Sequence, residues 1–356
     1  MTTFGDSTRC VHSGLPAPVP GEPLVPGPVF AAPYHLAVEG FEPGTDGYGR
    51  PDNATRRILE TAIGDLEDGS CLAFSSGQAA ITALLMTVLR PGDKVVIPSD
   101  GYYNTRALAA STFADLSVTV VEVPTAGPYP SFDGVRLVLI ESPANPGLDE
   151  APIAALAESA LAAGALLAVD NTAATPLLQK PLILGADVVV ASGTKALTGH
   201  SDLLIGYVAT RDPELLAGMQ RWRNLGGAIP SAFDCWLARR SLSTLALRLR
   251  QQGATGTALS TLLRSHPLVS DVRWAATAPG LVSFSLPSAA HVAAFLRAST
   301  LVAAATSFGG THTSADRRHQ WGDTVPAGFV RLSCGIEDTS DILTDISSAL
   351  DAAAQV

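Results

Sequence analysis

The strongest indication of the fold and function of this chain is the stretch Val188-Val189-Val190-Ala191-Ser192-Gly193-Thr194-Lys195. An apolar run is followed at once by two hydroxyl residues, a glycine and a lysine. The run predicts a buried strand, and the lysine stands just past its end. Because lysine is rarely buried without a partner or a chemical role, Lys195 is a candidate functional residue. For these few residues alone, a surface lysine in a polar loop is the alternative.

One role that suits Lys195 is a Schiff base to an aldehyde cofactor such as pyridoxal 5′-phosphate (PLP), with the nearby hydroxyls of Ser192 and Thr194 binding its phosphate. Such a cofactor needs a carboxylate that keeps its pyridine nitrogen protonated. Residues 165–170 read as an apolar strand that ends in an acid, and ligands bind at such strand ends in open α/β folds. Asp170 is therefore the candidate partner of the ring nitrogen, and capping of the next helix is the alternative.

Two further segments supply groups that a PLP site needs. Ser75-Ser76-Gly77-Gln78 stands between an apolar run and a helical pattern that continues to about Arg90. The amides and dipole of that helix start would bind a phosphate, although small residues are common at any tight strand–helix turn. Tyr102, in Asp100-Gly101-Tyr102-Tyr103-Asn104-Thr105, is a candidate to stack on the cofactor ring and to transfer protons. A tyrosine pair at the solvent edge is the alternative.

A fifth segment, Glu141-Ser142-Pro143-Ala144-Asn145-Pro146, follows the apolar run 138–140. Its two prolines restrict the loop and would hold Asn145 rigidly over a ligand. The side-chain amide is then able to hydrogen-bond the phenolic oxygen of the cofactor. An ordinary proline-rich turn is the alternative when this segment is taken alone.

The five segments occur in the same order as in the PLP-dependent Cys/Met metabolism enzymes, the trans-sulfuration family. They are S-S-G-Q-A-A from Ser75, D-G-Y-Y-N-T from Asp100, E-S-P-A-N-P from Glu141, A-V-D-N-T from Ala168 and S-G-T-K-A-L-T-G-H-S-D from Ser192. The chain resembles this family over nearly its whole length and is most similar to actinobacterial cystathionine γ-lyase-like proteins. The resemblance implies PLP as the cofactor and PLP-dependent fold type I, the aspartate aminotransferase-like fold.

The resemblance also implies a role for each matching residue. Lys195 corresponds to the Schiff-base lysine and proton shuttle, Asp170 to the partner of the pyridine nitrogen, and Tyr102 to the stacking tyrosine. Arg331 corresponds to the arginine that binds the substrate carboxylate, a task that suits a bidentate guanidinium. The implied cofactor-binding residues are Tyr48, Arg50, Ser76, Gly77, Gln78, Tyr102, Asn145, Asp170, Ser192, Thr194 and Lys195. The implied substrate-binding residues are Asn145, Ser307, His312 and Arg331.

Two of these matches concern the neighbouring subunit and the distal end of the substrate. Tyr48-Gly49-Arg50 resembles the family's Y-S-R, whose tyrosine and arginine reach the phosphate of the neighbouring subunit. A homo-oligomer is implied, with a tetramer built from dimers as the usual form. Residues 307–314 correspond to the family's S-L-G-G-x-E-S-L, and His312 replaces a glutamate that several members use to recognise the distal end of the substrate. This replacement leaves the identity of the substrate open.

The implied activity is γ-elimination on a sulfur amino acid, with cystathionine giving cysteine, 2-oxobutyrate and ammonia. γ-Replacement on an O-acylhomoserine, as in cystathionine γ-synthases and homoserine-ester sulfhydrylases, is the alternative within the family. Asn104 stands where methionine γ-lyases have a cysteine, which disfavours that activity. A catalytically silent PLP-fold binding protein is a third hypothesis, and the intact Lys195, Asp170, Tyr102 and Arg331 disfavour it.

Composition is consistent with a PLP enzyme that acts on an amino acid. The chain has 356 residues, of which 47% are hydrophobic, enough for a large domain and a smaller one. The net charge of −10 argues against nucleic-acid binding. No signal peptide or membrane span is predicted, so the expected location is the cytoplasm. Four widely spaced cysteines favour reduced thiols over disulfides or a metal site. They are Cys10, Cys71, Cys235 and Cys334.

The chain divides into three predicted blocks: a Pro/Gly-rich arm over 1–55 that contacts the neighbouring subunit, a PLP-binding large domain over 56–245 and a small C-terminal domain over 246–356. Alternating strands and helices predict a mostly parallel seven-stranded sheet in the large domain. Its predicted strands are 71–75, 93–97, 117–123, 135–141, 165–170, 186–191 and 203–209. The small domain is predicted to be α+β, with strands 280–286, 301–306 and 328–334 and helices 255–264 and 339–353. Arg239, Arg240, Arg248 and Arg250 are expected on the polar face of a connecting helix.

Overall fold

In the computed structural model, the described residues are 4–40, 42 and 44–356. The predicted arm over 1–55 therefore lies outside the described residues at positions 1–3, 41 and 43. Most of the arm has no regular structure, as its proline content predicts. Helix α1 (Asp6–His12) is an exception, because it buries Cys10 against the large domain. The first helix of the large domain, α2 (Ala54–Glu67), begins after Asn53, whose side chain caps it.

A seven-stranded sheet forms the centre of the large domain, which confirms the predicted fold class. Its strands are β1 (Ser70–Phe74), β2 (Lys94–Pro98), β3 (Thr119–Val123), β4 (Leu137–Glu141), β5 (Leu166–Asp170), β6 (Val188–Ser192) and β7 (Gly206–Thr210). They lie in the order β1-β7-β6-β5-β4-β2-β3. Strands β2 to β6 are parallel to their neighbours within that group, and β7 runs antiparallel to β1 and β6.

Helices cover both faces of this sheet. They are α2, α3 (Gly77–Val88), α4 (Tyr103–Leu108) with a π-helical turn over Ala109–Phe113, α5 (Ile153–Ala163), α6 (Thr175–Leu178), α7 (Pro213–Gly226) and α8 (Ala232–Leu242). Strand β6 shows the two layers directly, since Val188 and Val190 pack in one apolar cluster and Val189 and Ala191 in another. Successive side chains of a strand point to opposite faces, so a continuous apolar run is what a doubly covered sheet requires.

The parallel strands end at one edge of the sheet, and polar residues stand at those ends. Strand β4 ends at Glu141, β5 at Asp170 and β6 at Ser192. Glu141 and Asp170 are register partners across β4 and β5. Helix α3 starts at the same edge, where Ser76 Oγ accepts a hydrogen bond from the amide of Ala79 at 3.1 Å. This edge is where ligands bind in open α/β sheets.

The small domain is a five-stranded sheet with helices packed against it. Its elements are α9 (Leu245–Ser265), β8 (Ser270–Arg273), β9 (Leu281–Ser285), α10 (Ala289–Ala298), β10 (Ala303–Ala304), β11 (Ser314–Arg317), a 3-10 turn (Arg318–Trp321), β12 (Phe329–Ser333) and α11 (Thr339–Ala353). The strand order is β10-β11-β12-β9-β8. Strands β8 and β11 were not predicted, and the predicted strand over 301–306 is limited to two residues.

The expectation that Arg239 and Arg248 lie on a polar helix face is wrong. Both side chains are buried and donate to backbone carbonyls. Arg248 binds the carbonyl oxygens of Ala196 at 2.6 Å, Leu197 at 3.0 Å and Ser241 at 3.0 Å, and burial lowers its pKa to about 10. Helix α9 is thereby attached to the loop that follows Lys195.

Among residues 4–40, 42 and 44–356, neither a membrane span nor a metal-binding cluster is found. None of the helices there combines the length and the apolar composition that crossing a membrane requires. The described histidine, cysteine and acidic side chains also form no cluster of three that would hold a metal ion.

Candidate active site

A cleft of about 290 Å³ lies between the carboxyl edge of the large sheet and the small domain. Most of the residues predicted from the sequence meet in it. Its lining includes Ser76, Gly77, Gln78, Tyr102, Asn145, Asp170, Ser192, Thr194, Lys195, Ser307 and Arg331. The predicted site is thus brought together from both domains, although its members are spread over more than half of the chain.

Lys195 reaches across the cleft to the small domain. Its Nζ donates a hydrogen bond to Ser307 Oγ at 2.9 Å and lies 5.4 Å from the centroid of the Phe308 ring. Burial lowers the pKa of Lys195 to about 8, and the positive charges of Arg331 and Arg318 act in the same direction. Near neutral pH, a larger fraction of this amine is therefore unprotonated than of an ordinary lysine, as a nucleophile or a base requires.

Asp170 is a buried carboxylate at the end of β5. Its Oδ1 accepts two hydrogen bonds from Thr172, from the amide at 3.0 Å and from the hydroxyl at 2.5 Å. Thr172 Oγ1 in turn accepts from the amide of Ser192 at 2.8 Å, which connects the ends of β5 and β6. Burial raises the pKa of Asp170. Because both bonds go to Oδ1, Oδ2 remains available to a ligand in the cleft.

Glu141 lines the same cleft, although no role was predicted for it from the sequence. Its Oε2 accepts from the amide of Tyr102 at 2.7 Å, and its Oε1 from the amide of Asn145 at 2.8 Å. Burial, followed by the nearby charge of Asp170, raises the pKa of Glu141 to about 8. One carboxylate thus joins the two loops that carry Tyr102 and Asn145. An acid at a strand end, the signal used for Asp170, was available here too.

Arg331 is 2% exposed and forms the floor of the cleft on the side of the small domain. Its Nη1 donates to Asn145 Oδ1, and its Nη2 donates to the carbonyl oxygen of Ser307 at 2.7 Å. Burial lowers the pKa of Arg331 to about 9, with a further contribution from Arg318. Its Nε is buried and has no hydrogen-bond partner among the described residues. A buried guanidinium with a free donor is suited to an anionic ligand.

Arg318 and Trp321 also line the cleft, and the sequence analysis missed both. Arg318 is held by two carboxylates, with Nε 2.8 Å from Asp323 Oδ2 and Nη1 3.0 Å from Asp316 Oδ2. The indole Nε1 of Trp321 lies 2.9 Å from each carboxylate oxygen of Asp316. These residues belong to a polar run with no apolar periodicity, so the sequence carried no signal that they would reach the cleft.

Three predicted residues lie outside the lining of this cleft. Tyr48 is half exposed, and Arg50 lies 5.8 Å from its ring centroid while donating to the carbonyl oxygen of Asn224 at 3.0 Å. Their predicted contact with a neighbouring subunit stays a prediction. His312 is exposed, with Nδ1 3.3 Å from Thr311 Oγ1. Its position within one chain does not support the predicted contact with the substrate.

The chain matches the Cys/Met metabolism PLP-dependent enzymes over residues 29–351. It belongs to this family. A Streptomyces coelicolor protein named "Putative cystathionine gamma-lyase" is 46% identical, over 98% of this chain and 94% of that protein. Cystathionine gamma-synthase of Mycobacterium tuberculosis is 37% identical, over 97% of each chain. The structure of cystathionine gamma synthase from Xanthomonas oryzae pv. oryzae, in complex with aminoacrylate and cysteine, superposes with a TM-score of 0.93 at 32% identity, covering 99% of this chain and all of that one.

These findings confirm the family, the enzyme class and the cofactor predicted from the sequence motifs. The chain is a PLP-dependent enzyme of Cys/Met metabolism, and its relatives carry the names of both cystathionine gamma-lyases and cystathionine gamma-synthases. Membership of an enzyme family speaks against the hypothesis of a catalytically silent binding protein.

The residues of the cleft fit PLP. A Cβ atom at Gly77 would lie 2.7 Å from Ser192 Cβ and 2.9 Å from its Cα, so the start of α3 meets the end of β6 only because Gly77 has no side chain. The amides of this turn and the hydroxyls of Ser76 and Ser192 are suited to a phosphate, and their contact with the cofactor stays a prediction. Thr194 already donates its hydroxyl to the carbonyl oxygen of Ile205 at 3.1 Å, so its predicted phosphate contact stays a prediction.

Proposed function

We propose that this enzyme catalyses γ-elimination on a sulfur amino acid, with cystathionine and water giving cysteine, 2-oxobutyrate and ammonia. The observation that carries the proposal is the meeting of three groups in one cleft. Lys195 supplies an amine with a lowered pKa, Asp170 a buried carboxylate and Arg331 a buried guanidinium. The choice of cystathionine as substrate rests on the Streptomyces relative and on the resemblance of the motifs.

In the proposed arrangement, Lys195 would hold PLP through its aldehyde, Asp170 would serve its ring nitrogen, and the Gly77 turn with Ser76 and Ser192 would hold its phosphate. When bound, PLP supplies an electron sink that stabilises negative charge at the substrate Cα. Asp170 contributes to this by keeping a proton on the ring nitrogen. The raised pKa of Asp170 reflects burial, and a positively charged partner would offset that cost.

Arg331 binds the α-carboxylate of the substrate and thereby sets which Cα bond points toward Lys195. Asn145, bonded to Arg331 through Oδ1, fixes the orientation of the guanidinium. Lys195, as an amine with a lowered pKa, would remove the proton from Cα. A second proton leaves Cβ, the γ-substituent departs as a thiol, and Tyr102 assists by exchanging protons within the cleft.

γ-Replacement on an O-acylhomoserine is the second candidate. The Mycobacterium tuberculosis and Xanthomonas relatives carry the name cystathionine gamma-synthase, which favours it. The first steps, in which Arg331 positions the substrate and Lys195 removes protons, are common to both reactions. The two candidates differ in what the γ-carbon receives after its substituent has left: a proton in γ-elimination, which makes it the methyl group of 2-oxobutyrate, or the sulfur of an incoming thiol in γ-replacement.

We further propose a homo-oligomer, a tetramer built from dimers, in which Tyr48 and Arg50 complete the phosphate site of a neighbouring subunit. Their exposure in one chain and their absence from its own cleft support this arrangement. Substrate amino acids are the small-molecule partners.

A substrate panel tests the proposed function. Purified enzyme is incubated with cystathionine, methionine, homocysteine, O-acetylhomoserine and O-succinylhomoserine, each with and without cysteine or sulfide, and the products are identified by mass spectrometry. We expect 2-oxobutyrate and cysteine from cystathionine. In heavy water, recovered cystathionine should carry deuterium at both Cα and Cβ of its four-carbon half. Formation of cystathionine from an acylhomoserine and cysteine at a higher kcat/KM would favour γ-replacement. Deuterium at Cα alone would exclude both γ-reactions.

The same panel with His312→Glu tests the predicted substrate contact of His312.

A further inference from the structure

Tyr102 has a close polar neighbour on its own helix turn. The side-chain nitrogen Nδ2 of Asn104 donates a hydrogen bond to the phenolic oxygen of Tyr102 at 2.9 Å. Both residues belong to the start of α4, where Tyr102 precedes the first helical residue. Tyr102 lines the active-site cleft, whereas Asn104 does not. Asn104 thus acts on the cleft only through the phenol that it contacts.

A phenolic oxygen has one hydrogen to donate and lone pairs that accept. The amide of Asn104 occupies one of those lone pairs, so the phenol hydrogen has to point away from Asn104. A donated N–H also favours the negatively charged oxygen of a deprotonated phenol over the neutral one. Both effects follow from the direction of this single hydrogen bond.

We propose that Asn104 is a positioning residue for Tyr102, which orients the phenol hydrogen and stabilises the deprotonated phenol while the reaction exchanges protons in the cleft. The role of Tyr102 in proton exchange rests on the proposed function. The contact between Asn104 and Tyr102 does not depend on the proposed function. An experiment can therefore contradict the role of Asn104 without contradicting the proposed function, and the reverse also holds.

The groups around Tyr102 divide into opposing sets. Burial raises the pKa of Tyr102, and Asn104 opposes this by its hydrogen bond. The neighbouring Tyr103, whose ring centroid lies 5.0 Å away, raises it further, whereas the positive charge of Arg318 from the small domain lowers it. Three charged groups of the large domain lie nearby. Glu141 accepts a hydrogen bond from the backbone amide of Tyr102, and Lys195 and Asp170 line the same cleft.

The direction in which removal of this donor changes the pKa of Tyr102 is therefore predictable. Without the amide of Asn104, burial and Tyr103 act with less opposition, so the pKa of Tyr102 rises. A hydrogen bond to a charged group is worth enough to move a pKa by about one unit. Asn104→Asp has nearly the same shape but offers only acceptors and a negative charge when ionised, so its effect is larger in the same direction.

The test measures the phenol directly in the holoenzyme. Protein containing 3-fluorotyrosine is titrated with pH and followed by 19F NMR, and the resonance of Tyr102 is identified by its loss in Tyr102→Phe. Wild type, Asn104→Ala and Asn104→Asp are compared, with Ser111→Ala as the control, since Ser111 is exposed on the adjoining π-helical turn. The pH profile of kcat/KM is recorded for the same proteins.

We expect the pKa of Tyr102 to increase by about one unit in Asn104→Ala and further in Asn104→Asp. One limb of the pH profile of kcat/KM should be absent in Tyr102→Phe. In the Asn104 variants, the apparent pKa of that limb should shift by the same amount as the phenol pKa, and Ser111→Ala should match wild type. An unchanged or lowered phenol pKa in Asn104→Ala would overturn the proposal, because the amide would then not be the donor. If Asn104→Ala bound PLP poorly, the titration of Asn104→Asp would still decide the question. Neither outcome depends on which substrate the enzyme cleaves.

Discussion

Lys195 and Ser307 are 112 residues apart in the chain, yet Nζ of the first donates to Oγ of the second at 2.9 Å. The carbonyl oxygen of Ser307 also accepts from Arg331. Ser307 has a φ of 77°, which is uncommon for a residue with a side chain and is often found at functional sites. The small domain therefore determines the position of both the amine and the guanidinium, although Lys195 belongs to the large domain.

Lys195→Ala should keep the fold but lose activity and the visible absorption of the bound cofactor. Its amine is the group expected to hold PLP, and a deleted nucleophile reduces turnover by several orders of magnitude. The chain has three lysines, Lys94, Lys180 and Lys195, so the attachment site is easy to map. Borohydride treatment of wild type followed by peptide mass mapping should place the cofactor mass on Lys195. Cofactor mass on either of the other two lysines would contradict this role.

The lowered pKa of Lys195 has a measurable consequence for cofactor capture. Only the unprotonated amine attacks an aldehyde, and its fraction increases as the pH rises through about 8. The rate of covalent PLP capture by the cofactor-free protein should therefore rise with pH and level off above that value. An ordinary lysine would still gain rate up to about pH 10. Stopped-flow absorbance gives the rates, and methylamine with PLP in the same buffers corrects for titration of the cofactor itself.

The sequence predicted the large domain well because its strands are buried on both faces. Runs such as 188–191 and 166–169 are apolar throughout, and the polar residues that follow them mark the functional edge of the sheet. Lys195 and Asp170 could each be selected because a charged residue stands at or just past the end of an apolar run, whereas Arg331 was assigned only through the resemblance to the family. That combination is costly unless the charge has a partner or a ligand.

The small domain was harder to predict because its polar residues are buried in pairs. Strand β11 contains Asp316, which is satisfied by Arg318 and Trp321, so the strand reads as a solvated loop. Arg248 is likewise buried on carbonyl oxygens of a loop that is distant in sequence. Glu141 could have been found, since it stands at the end of an apolar strand as Asp170 does. Contacts of this kind are set by tertiary packing, and local periodicity does not encode them.

Gly77→Ala should weaken cofactor binding and destabilise the protein. The added Cβ would lie 2.7 Å from Ser192 Cβ and 2.9 Å from Ser192 Cα, and the backbone of a buried strand end cannot easily move away. Overpacking of this kind costs about 1–3 kcal/mol. Urea unfolding of the cofactor-free protein measures the stability, and fluorescence titration with PLP measures the affinity. Gly5→Ala is the control, because no atom of the described residues beyond its chain neighbours lies within 4 Å of a Cβ at that position. Equal PLP affinity in Gly77→Ala and wild type would show that the phosphate is held elsewhere.

Arg331→Leu should raise KM far more than it lowers the affinity for PLP. Losing one member of a desolvated charge pair costs 2 kcal/mol or more, so KM should increase by roughly 30-fold or more. Steady-state kinetics on the best substrate of the panel measures this, with the cofactor absorbance as a check on PLP content. Arg297→Leu is the matched control, since Arg297 is exposed on α10. A KM close to that of wild type would show that another group binds the substrate carboxylate.

Two inactive variants should restore activity to each other if Tyr48 and Arg50 serve a neighbouring subunit. Arg50 lies outside the cleft of its own chain, so Arg50→Leu should damage only the site across the interface. In a mixed dimer of Lys195→Ala and Arg50→Leu chains, one site then combines an intact lysine with an intact arginine. Random mixing gives about a quarter of the wild-type activity, because half of the dimers are mixed and each has one intact site. The variants are unfolded together, refolded, and assayed alongside each variant refolded alone. Activity no higher than the average of the two separate variants would mean that Arg50 acts within its own chain or not at all.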